Sequence, residues 1–361
     1  MSIKVVSLFS GGGGLDLGFK SAGYKVVWAI DNNPNAVATY KANIGSHIIC
    51  DDINKIDETK IPRADVVIGG PPCQSFSLAG NRNVEDDRGQ LVWRYISIIK
   101  QVNPKAFVFE NVTGLLSATN SKGEKIVELL KQAFKDIGYA IETKVINMAD
   151  YGIPQRRKRV LIVGLADGNK FEFPKITHNE TGIGLKKYVS AKEALDDLPD
   201  ATSDENGVVK YKLNIQNEYQ RKMRSSTCVT EHFMPRMSEL DKYIVEHVKP
   251  GGNYMDIPPE VNSVRIRRLQ KEGGHTTCYG RMSPDLPSYT VNTYFNRPNV
   301  GCNIHYKANR LITVREALRL QSFPDDYKIV SSSKQGRNLI VGNAVPPMMA
   351  EIIAKELKKY L

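Results

Sequence analysis

The apolar run Ala64-Asp65-Val66-Val67-Ile68 passes directly into Gly69-Gly70-Pro71-Pro72-Cys73-Gln74-Ser75-Phe76-Ser77. No other stretch restricts the fold so tightly. A short run of branched apolar residues without polar alternation reads as a strand buried on both faces, the pattern of a parallel sheet. Two prolines then stop the ladder, because proline fixes φ and lacks a donor. The chain must therefore turn at the carboxyl end of a parallel strand, where open α/β sheets bind ligands. The first side chain beyond that corner is a thiol. An isolated cysteine is more often a small buried hydrophobe than a nucleophile. The rigid corner and the motifs around it reverse that preference.

The same logic organises the N-terminal half. Lys4-Val5-Val6-Ser7-Leu8-Phe9 is a first strand, Ser10-Gly11-Gly12-Gly13-Gly14 a turn, and Leu15-Asp16-Leu17-Gly18-Phe19 the start of a helix. Glycines let a ligand approach the backbone while helix N–H groups point at it. The third glycine of G-x-G-x-x-G is replaced by Asp16 or Leu17, and G-K-[ST] is absent, so a cofactor without a pyrophosphate fits better. A second strand, Lys25 to Ile30, ends in Asp31-Asn32-Asn33. Asp31 there can hold both hydroxyls of a ribose or cap the helix that follows Pro34. A third, His47 to Cys50, ends in Asp51-Asp52-Ile53, either an acceptor for an adenine amino group or a solvated acid pair. Leu78 to Gln90 reads as an irregular lid with Gly80 and Gly89 as hinges, followed by a helix from about Leu91 to Val102. A fifth strand, Lys105 to Phe109, carries Glu110-Asn111-Val112 at its tip. A carboxylate beside a candidate nucleophile suggests acid–base work, the alternative being that it favours a following helix. After a helix around Glu124–Gly138 and a strand from Ala140 to Ile146, Tyr151 to Arg159 leads into Val160 to Gly164. Period two places Arg157 and Arg159 on one face, as an anion clamp or a solvated basic run.

The net charge of +11 favours a polyanionic partner. Cys50, Cys73, Cys228, Cys278 and Cys302 include no C-x-x-C pair, so neither a metal site nor a disulfide framework is expected. With no apolar run of bilayer length and no signal peptide before the first strand, the expected location is the cytoplasm, with no membrane contact. From about Asp196 the apolar periodicity weakens. Arg265, Arg267, Arg268, Lys271 and Arg281 lie among Tyr279, Tyr289, Tyr294 and Phe295, a mixture suited to phosphate contacts and base reading, or simply a loop-rich accessory domain. Leu311 to Leu320 is a capped helix, and a last helix follows Asn338 to Pro347.

Taken in order, Phe9-Ser10-Gly11 to Gly18, Asp31, Asp52-Ile53, Gly70 to Ser77, Glu110-Asn111-Val112, Gln155 to Val160, Leu311 to Asp326 and Gly342 to Pro346 resemble the C5-cytosine DNA methyltransferases of bacterial restriction–modification systems. The resemblance covers most of the chain outside roughly 200–300. It implies a Rossmann-like, doubly wound α/β methyltransferase sheet with a second, smaller, loop-rich target-recognition domain. The expected boundaries are 1–195 for the catalytic and cofactor-binding domain, 196–330 for the small domain, and 331–361 for a segment completing the first. It implies S-adenosylmethionine as cofactor, lined by Phe9, Ser10, Gly11, Gly12, Gly13, Gly14, Asp31, Asn32, Asp52, Ile53, Pro72, Leu91, Asn343 and Val345. Cys73 would attack C6 of a flipped cytosine, Glu110 would hold or protonate N3, and Arg157 and Arg159 would grip O2. Gln74, Ser75, Ser77, Arg88, Thr290, Val291 and Arg297 would face duplex DNA. A monomer sharing its site with a restriction endonuclease is the implied setting. A tRNA cytosine-5 methyltransferase on the same fold is the alternative, disfavoured because the Cys-Phe-Thr triplet of that branch is absent.

Overall fold

The computed structural model describes residues 2–72, 87–204 and 207–361, and only the backbone for 87–90. Cys73, Gln74, Ser75, Ser77 and most of the expected lid lie outside the described residues, as does the side chain of Arg88. The chain divides into two compact units, Met1–Asn147 with Lys158–Lys175 and Pro347–Leu361, and Met148–Arg157 with Ile176–Pro346.

The first unit alternates β1 (Lys4–Leu8), α1 (Gly14–Ser21), β2 (Lys25–Asp31), α2 (Pro34–Asn43), β3 (Ile48–Cys50), β4 (Val66–Gly69), α3 (Asp87–Val102), β5 (Ala106–Val112), α4 (Ile126–Asp136) and β6 (Ala140–Asn147). After β7 (Gln155–Arg156), which belongs to the other unit, β8 (Lys158–Leu165) completes the sheet. The strand order is β3-β2-β1-β4-β5-β8-β6. The pairs from β3 to β5 are parallel, and β8 runs antiparallel to both its neighbours. The order reverses between β1 and β4, where Leu8 pairs with Gly69. Such a switch point opens a crevice at the carboxyl ends, and here it joins the glycine-rich turn to the Pro-Pro corner.

Val66, Val67 and Ile68 are fully buried, as a central parallel strand requires. Val67 shares a core with Leu8, Tyr95, Phe107, Phe109 and Phe134, large apolar side chains that each contribute about 1.5–3 kcal/mol by burial. A Cβ on Gly69 would lie 2.5 Å from the Leu8 carbonyl oxygen and 2.9 Å from the Tyr95 ring, so only glycine ends this strand. Two expected extents change. Helix α3 begins at Asp87, taking in the Gly89 hinge, and β5 runs through Glu110 to Val112 because β8 continues to pair with it.

The second unit holds α5 (Ala191–Leu195), α6 (Glu218–Met223), α7 (Glu239–His247), α8 (Val264–Glu272), α9 (Val314–Leu320) and α10 (Lys334–Asn343) among short strands. Helix α9 starts three residues later than expected because Thr313 caps it, exchanging bonds with Glu316 in a capping box. Arg319 of α9, fully buried, is held by Asp197 at 2.6 Å and Asp325 at 2.9 Å, tying the loops on either side. Helix α10 is an element that the sequence pattern does not announce. It packs on α9, and Gln321 donates to the Val341 carbonyl.

These packing choices correct the expected boundaries. The return to the first unit begins at Pro347, not 331, because α10 belongs with α9. The second unit begins at Ile176, not 196, because α5 packs against α6 and α9, and it also claims 148–157 through β7. Helix α11 (Pro347–Leu357) lies on α1, where a Cβ on Gly18 would sit 2.4 Å from Ala350 Cβ, and Tyr24 donates to the Ala354 carbonyl at 2.9 Å. No helix among the described residues is long and apolar enough to cross a membrane.

Candidate active site

The glycine run makes a cradle at the tip of β1. Phe9, Gly11 and Gly13 take φ of 53°, 56° and 86°, left-handed values that a side chain opposes. Phe9 accepts that strain at the mouth of the turn. The Ser10 amide donates to the Ile30 carbonyl at 3.0 Å, fixing the turn to β2. A Cβ on Gly11 would meet nothing within 4 Å, so the turn is open on that side. Asp31, half-buried at the end of β2, accepts from the Gly11 amide at 2.8 Å through Oδ2 and from Asn33 at 2.9 Å through Oδ1. Burial raises its carboxyl above the ordinary value, and the two amides offset part of that rise. Asn33, not Asp31, caps α2, accepting from Asn35 and Ala36. Each Asp31 oxygen keeps a further lone pair, a set that suits a vicinal diol. Asp52 caps a short 3-10 turn through Asn54, Ile53 is buried, Asn32 is exposed, and Pro72 and Leu91 are half-buried.

Beside the cradle, Glu110 is 8 % exposed, and its Oε1 pairs with Arg159 Nε at 3.0 Å. It sits within β5 and not beyond its tip, two positions before Val112, the register partner of Arg159. A Cβ on Gly70 would lie 2.8 Å from Glu110 Oε2, so the corner before Cys73 lies against this carboxylate. Asn111 donates to the Pro71 carbonyl at 3.0 Å and so holds the corner from β5. The sequence assigns Asn111 no role of its own. A polar residue directly after a candidate acid was the available signal.

Arg157, in the second unit, has a different task. It is 1 % exposed, and its guanidinium donates to the carbonyls of Val291 at 3.0 Å, Gly342 at 2.9 Å and Ala344 at 3.1 Å. It fixes backbone where an anion clamp was expected, and Arg159 pairs with the acid. Gln155, also without an assigned role in the sequence, accepts from the Val291 amide at 2.8 Å and donates to the Leu320 carbonyl at 3.2 Å. Thr290 donates to the Arg156 carbonyl at 2.9 Å, and the Ser288–Tyr289 strand pairs with β7. Gly342 must be glycine, since a Cβ would sit 2.4 Å from the Thr293 nitrogen. Asn343 is exposed and Val345 half-buried, on either side of the Ala344 carbonyl that Arg157 holds.

A family model described as C-5 cytosine-specific DNA methylase matches residues 3–359. The chain belongs to that family. The methylase is 37% identical over 360 residues to the Type II methyltransferase M.NgoFVII of Neisseria gonorrhoeae, covering 98% of this chain and 86% of the relative. It is 35% identical to M.MthTI of Methanothermobacter thermautotrophicus, covering 100% and 98%. Among solved structures, one described as a DNA modification methyltransferase encoded within an E. coli prophage matches with a TM-score of 0.74 at 25% identity, covering 99% of both chains. The S. pombe Dnmt2 methyltransferase shares the fold, with a TM-score of 0.62 at 18% identity and 99% of both chains covered.

The basic residues of the methylase's second unit separate by burial. Arg281 is 4 % exposed and surrounded by acceptors, including the carbonyls of Val248 at 2.6 Å and His305 at 3.0 Å and Asn309 Oδ1 at 2.9 Å. It is a structural cation and leaves the set of candidates for binding phosphate. Arg265, Arg267, Arg268 and Lys271 are exposed on α8, and Arg297 is exposed with its guanidinium 5.0 Å from the Tyr294 ring centroid.

Proposed function

We propose that this DNA (cytosine-5-)-methyltransferase uses S-adenosylmethionine, acts through a covalent Cys73–C6 adduct, and is the modification enzyme of a Type II restriction–modification system, sharing its site with an endonuclease. The observation that carries the mechanism is Glu110 lying against Gly70, at the corner that the two prolines extend to the thiol. The named Type II relatives support the biological setting and disfavour a tRNA substrate.

When bound, S-adenosylmethionine supplies an electrophilic methyl group on its sulfonium. Asp31 and the open Gly11 side of the turn would hold its ribose and its backbone-facing edge. The rest is done by side chains on the base. Cytosine C5 is a weak nucleophile until Cys73, as thiolate, adds to C6. Glu110, hydrogen-bonded at N3, stabilises the charge that spreads into the ring. Arg159, bonded to Glu110, orients that carboxyl and reaches toward O2. Loss of the C5 proton and of the thiolate restores the aromatic ring. The base must leave the duplex for the thiol to reach C6. The enzyme is expected to methylate a specific duplex site and leave tRNA unmodified, which labelled methyl transfer to each substrate decides.

The cradle makes a separate expectation. Asp31→Ala should weaken S-adenosylmethionine binding by about tenfold to a hundredfold, the loss of one or two hydrogen bonds to a charged acceptor, while DNA affinity without cofactor stays unchanged. Calorimetric titration of each ligand measures both.

In the second unit, the exposed cations of α8 would face phosphate. Replacing Arg265, Arg267, Arg268 and Lys271 with alanine together should weaken binding to all duplexes alike and reduce the salt slope by about 0.9 for each phosphate no longer neutralised. An unchanged slope would remove α8 from the interface.

A further inference from the structure

Behind the glycine-rich turn lies a buried polar string that the methylation chemistry does not use. Asp16, in the first turn of α1, is fully buried, and its Oδ1 accepts from the Tyr40 hydroxyl of α2 at 2.9 Å. The same hydroxyl lies 3.0 Å from Nε2 of the half-buried His47, whose ring meets Tyr40 edge-on. Asp16 Oδ2 is buried without a partner in hydrogen-bond geometry. Two features tie the string to the turn. A Cβ on Gly13 would come 2.9 Å from the Tyr40 ring, and the Ser10 hydroxyl donates at 2.9 Å to Ser7, whose hydroxyl also acts on Asp16.

We infer that Asp16 is a charge-complementing, positioning residue for the cofactor: its buried carboxylate, held by Tyr40 and His47, favours the net positive S-adenosylmethionine in the cradle over the neutral S-adenosylhomocysteine left after transfer. This rests on the reading of the glycine-rich turn as the cofactor site.

The physical case is one of sign. Burial raises the Asp16 carboxyl to about 6, the Ser7 and Tyr40 hydroxyls offset part of the rise, and the charge of Asp31 adds to it. His47 is lowered, first by burial and then by Lys20. A carboxyl raised above its unfolded value of 3.8 contributes stability that is full below that value and is lost as pH rises through about 6, so its ionised form carries a cost at neutral pH. A cation brought to the turn relieves that cost and lowers the carboxyl's proton affinity in return. The string can also carry the change. With Asp16 ionised, Tyr40 donates to it. When Asp16 is protonated it donates to Tyr40, which turns its own proton to His47.

Calorimetry on the intact protein between pH 5 and 8, in two buffers of different ionisation enthalpy, tests this. S-adenosylmethionine affinity should fall by up to about tenfold from pH 7 to pH 5, with proton release on binding near pH 6, and S-adenosylhomocysteine should show a shallower profile. Asp16→Asn should be at least as stable as wild type at pH 7, bind S-adenosylmethionine weakly, and give a flat profile. Tyr40→Phe keeps the ring against Gly13 but removes a bond that favours the charged form, so its midpoint should move to higher pH. An Asp16→Asn profile with wild-type slope and proton release overturns the inference, as does an unmoved midpoint in Tyr40→Phe. If Asp31→Ala binds the cofactor as wild type does, the cradle reading itself fails.

Discussion

Duplex DNA bearing 5-fluorocytosine at the target position is expected to trap the wild-type enzyme, in the presence of S-adenosylmethionine, as a complex that survives denaturation. Fluorine cannot leave as a proton, so the adduct cannot resolve after methyl transfer. Peptide mapping should place the bond on Cys73 and not on Cys50, Cys228, Cys278 or Cys302. Those four have no corner like Pro71-Pro72 before them. Cys302 is half-buried, and desolvation pushes its thiol up to about 12, which leaves almost no thiolate at neutral pH. Cys73→Ala should bind the same duplex through side chains elsewhere and form no adduct. A Cys73→Ala protein that still methylates DNA would overturn the covalent reading.

Glu110→Gln should be the second largest loss. Glutamine keeps the volume beside Gly70 and an acceptor for Arg159 Nε, so the corner should remain in place. It cannot pass a proton to N3. Adduct formation should slow by about 10²–10⁴-fold, the usual worth of a positioned acid, while DNA affinity stays within a few fold of wild type. Stopped-flow measurement of base flipping beside single-turnover methylation separates the two steps. Unaltered single-turnover chemistry in a folded Glu110→Gln protein would remove Glu110 from the mechanism. Arg159→Ala leaves the carboxylate without its partner. It should lower the same rate by misplacing Glu110, a weaker effect with the pH profile displaced.

Both experiments rest on residues that are legible in the chain itself, and the reason is local. Branched apolar runs ending in Gly-Gly-Pro-Pro or in four glycines carry their own geometry, because proline removes a donor and glycine alone tolerates left-handed φ. Asp31 at the end of β2 was legible for the same reason, although Asn33 took the capping role that Pro34 had suggested for it. What the chain could not disclose was partnership between distant segments. Period two put Arg157 and Arg159 together, yet Arg157 commits its guanidinium to carbonyls at 291, 342 and 344 while Arg159 finds Glu110, on the far side of an antiparallel strand pair. Arg281 looked like a phosphate ligand because charge is visible in a sequence and burial is not. The domain boundaries moved for a related reason: α10 goes with α9 through Gln321 and Val341, and α11 goes with α1 through Gly18 and Ala350, choices made by packing surfaces. The Asp16–Tyr40–His47 string was equally hidden, since three ordinary residues become one hydrogen-bonded string only where α1, α2 and the approach to β3 bring them together. Backbone chemistry is written along the chain, so sequence determined the strands, the corner and the cradle. Burial and side-chain pairing depend on what else arrives at the same place, and only the tertiary structure decided those.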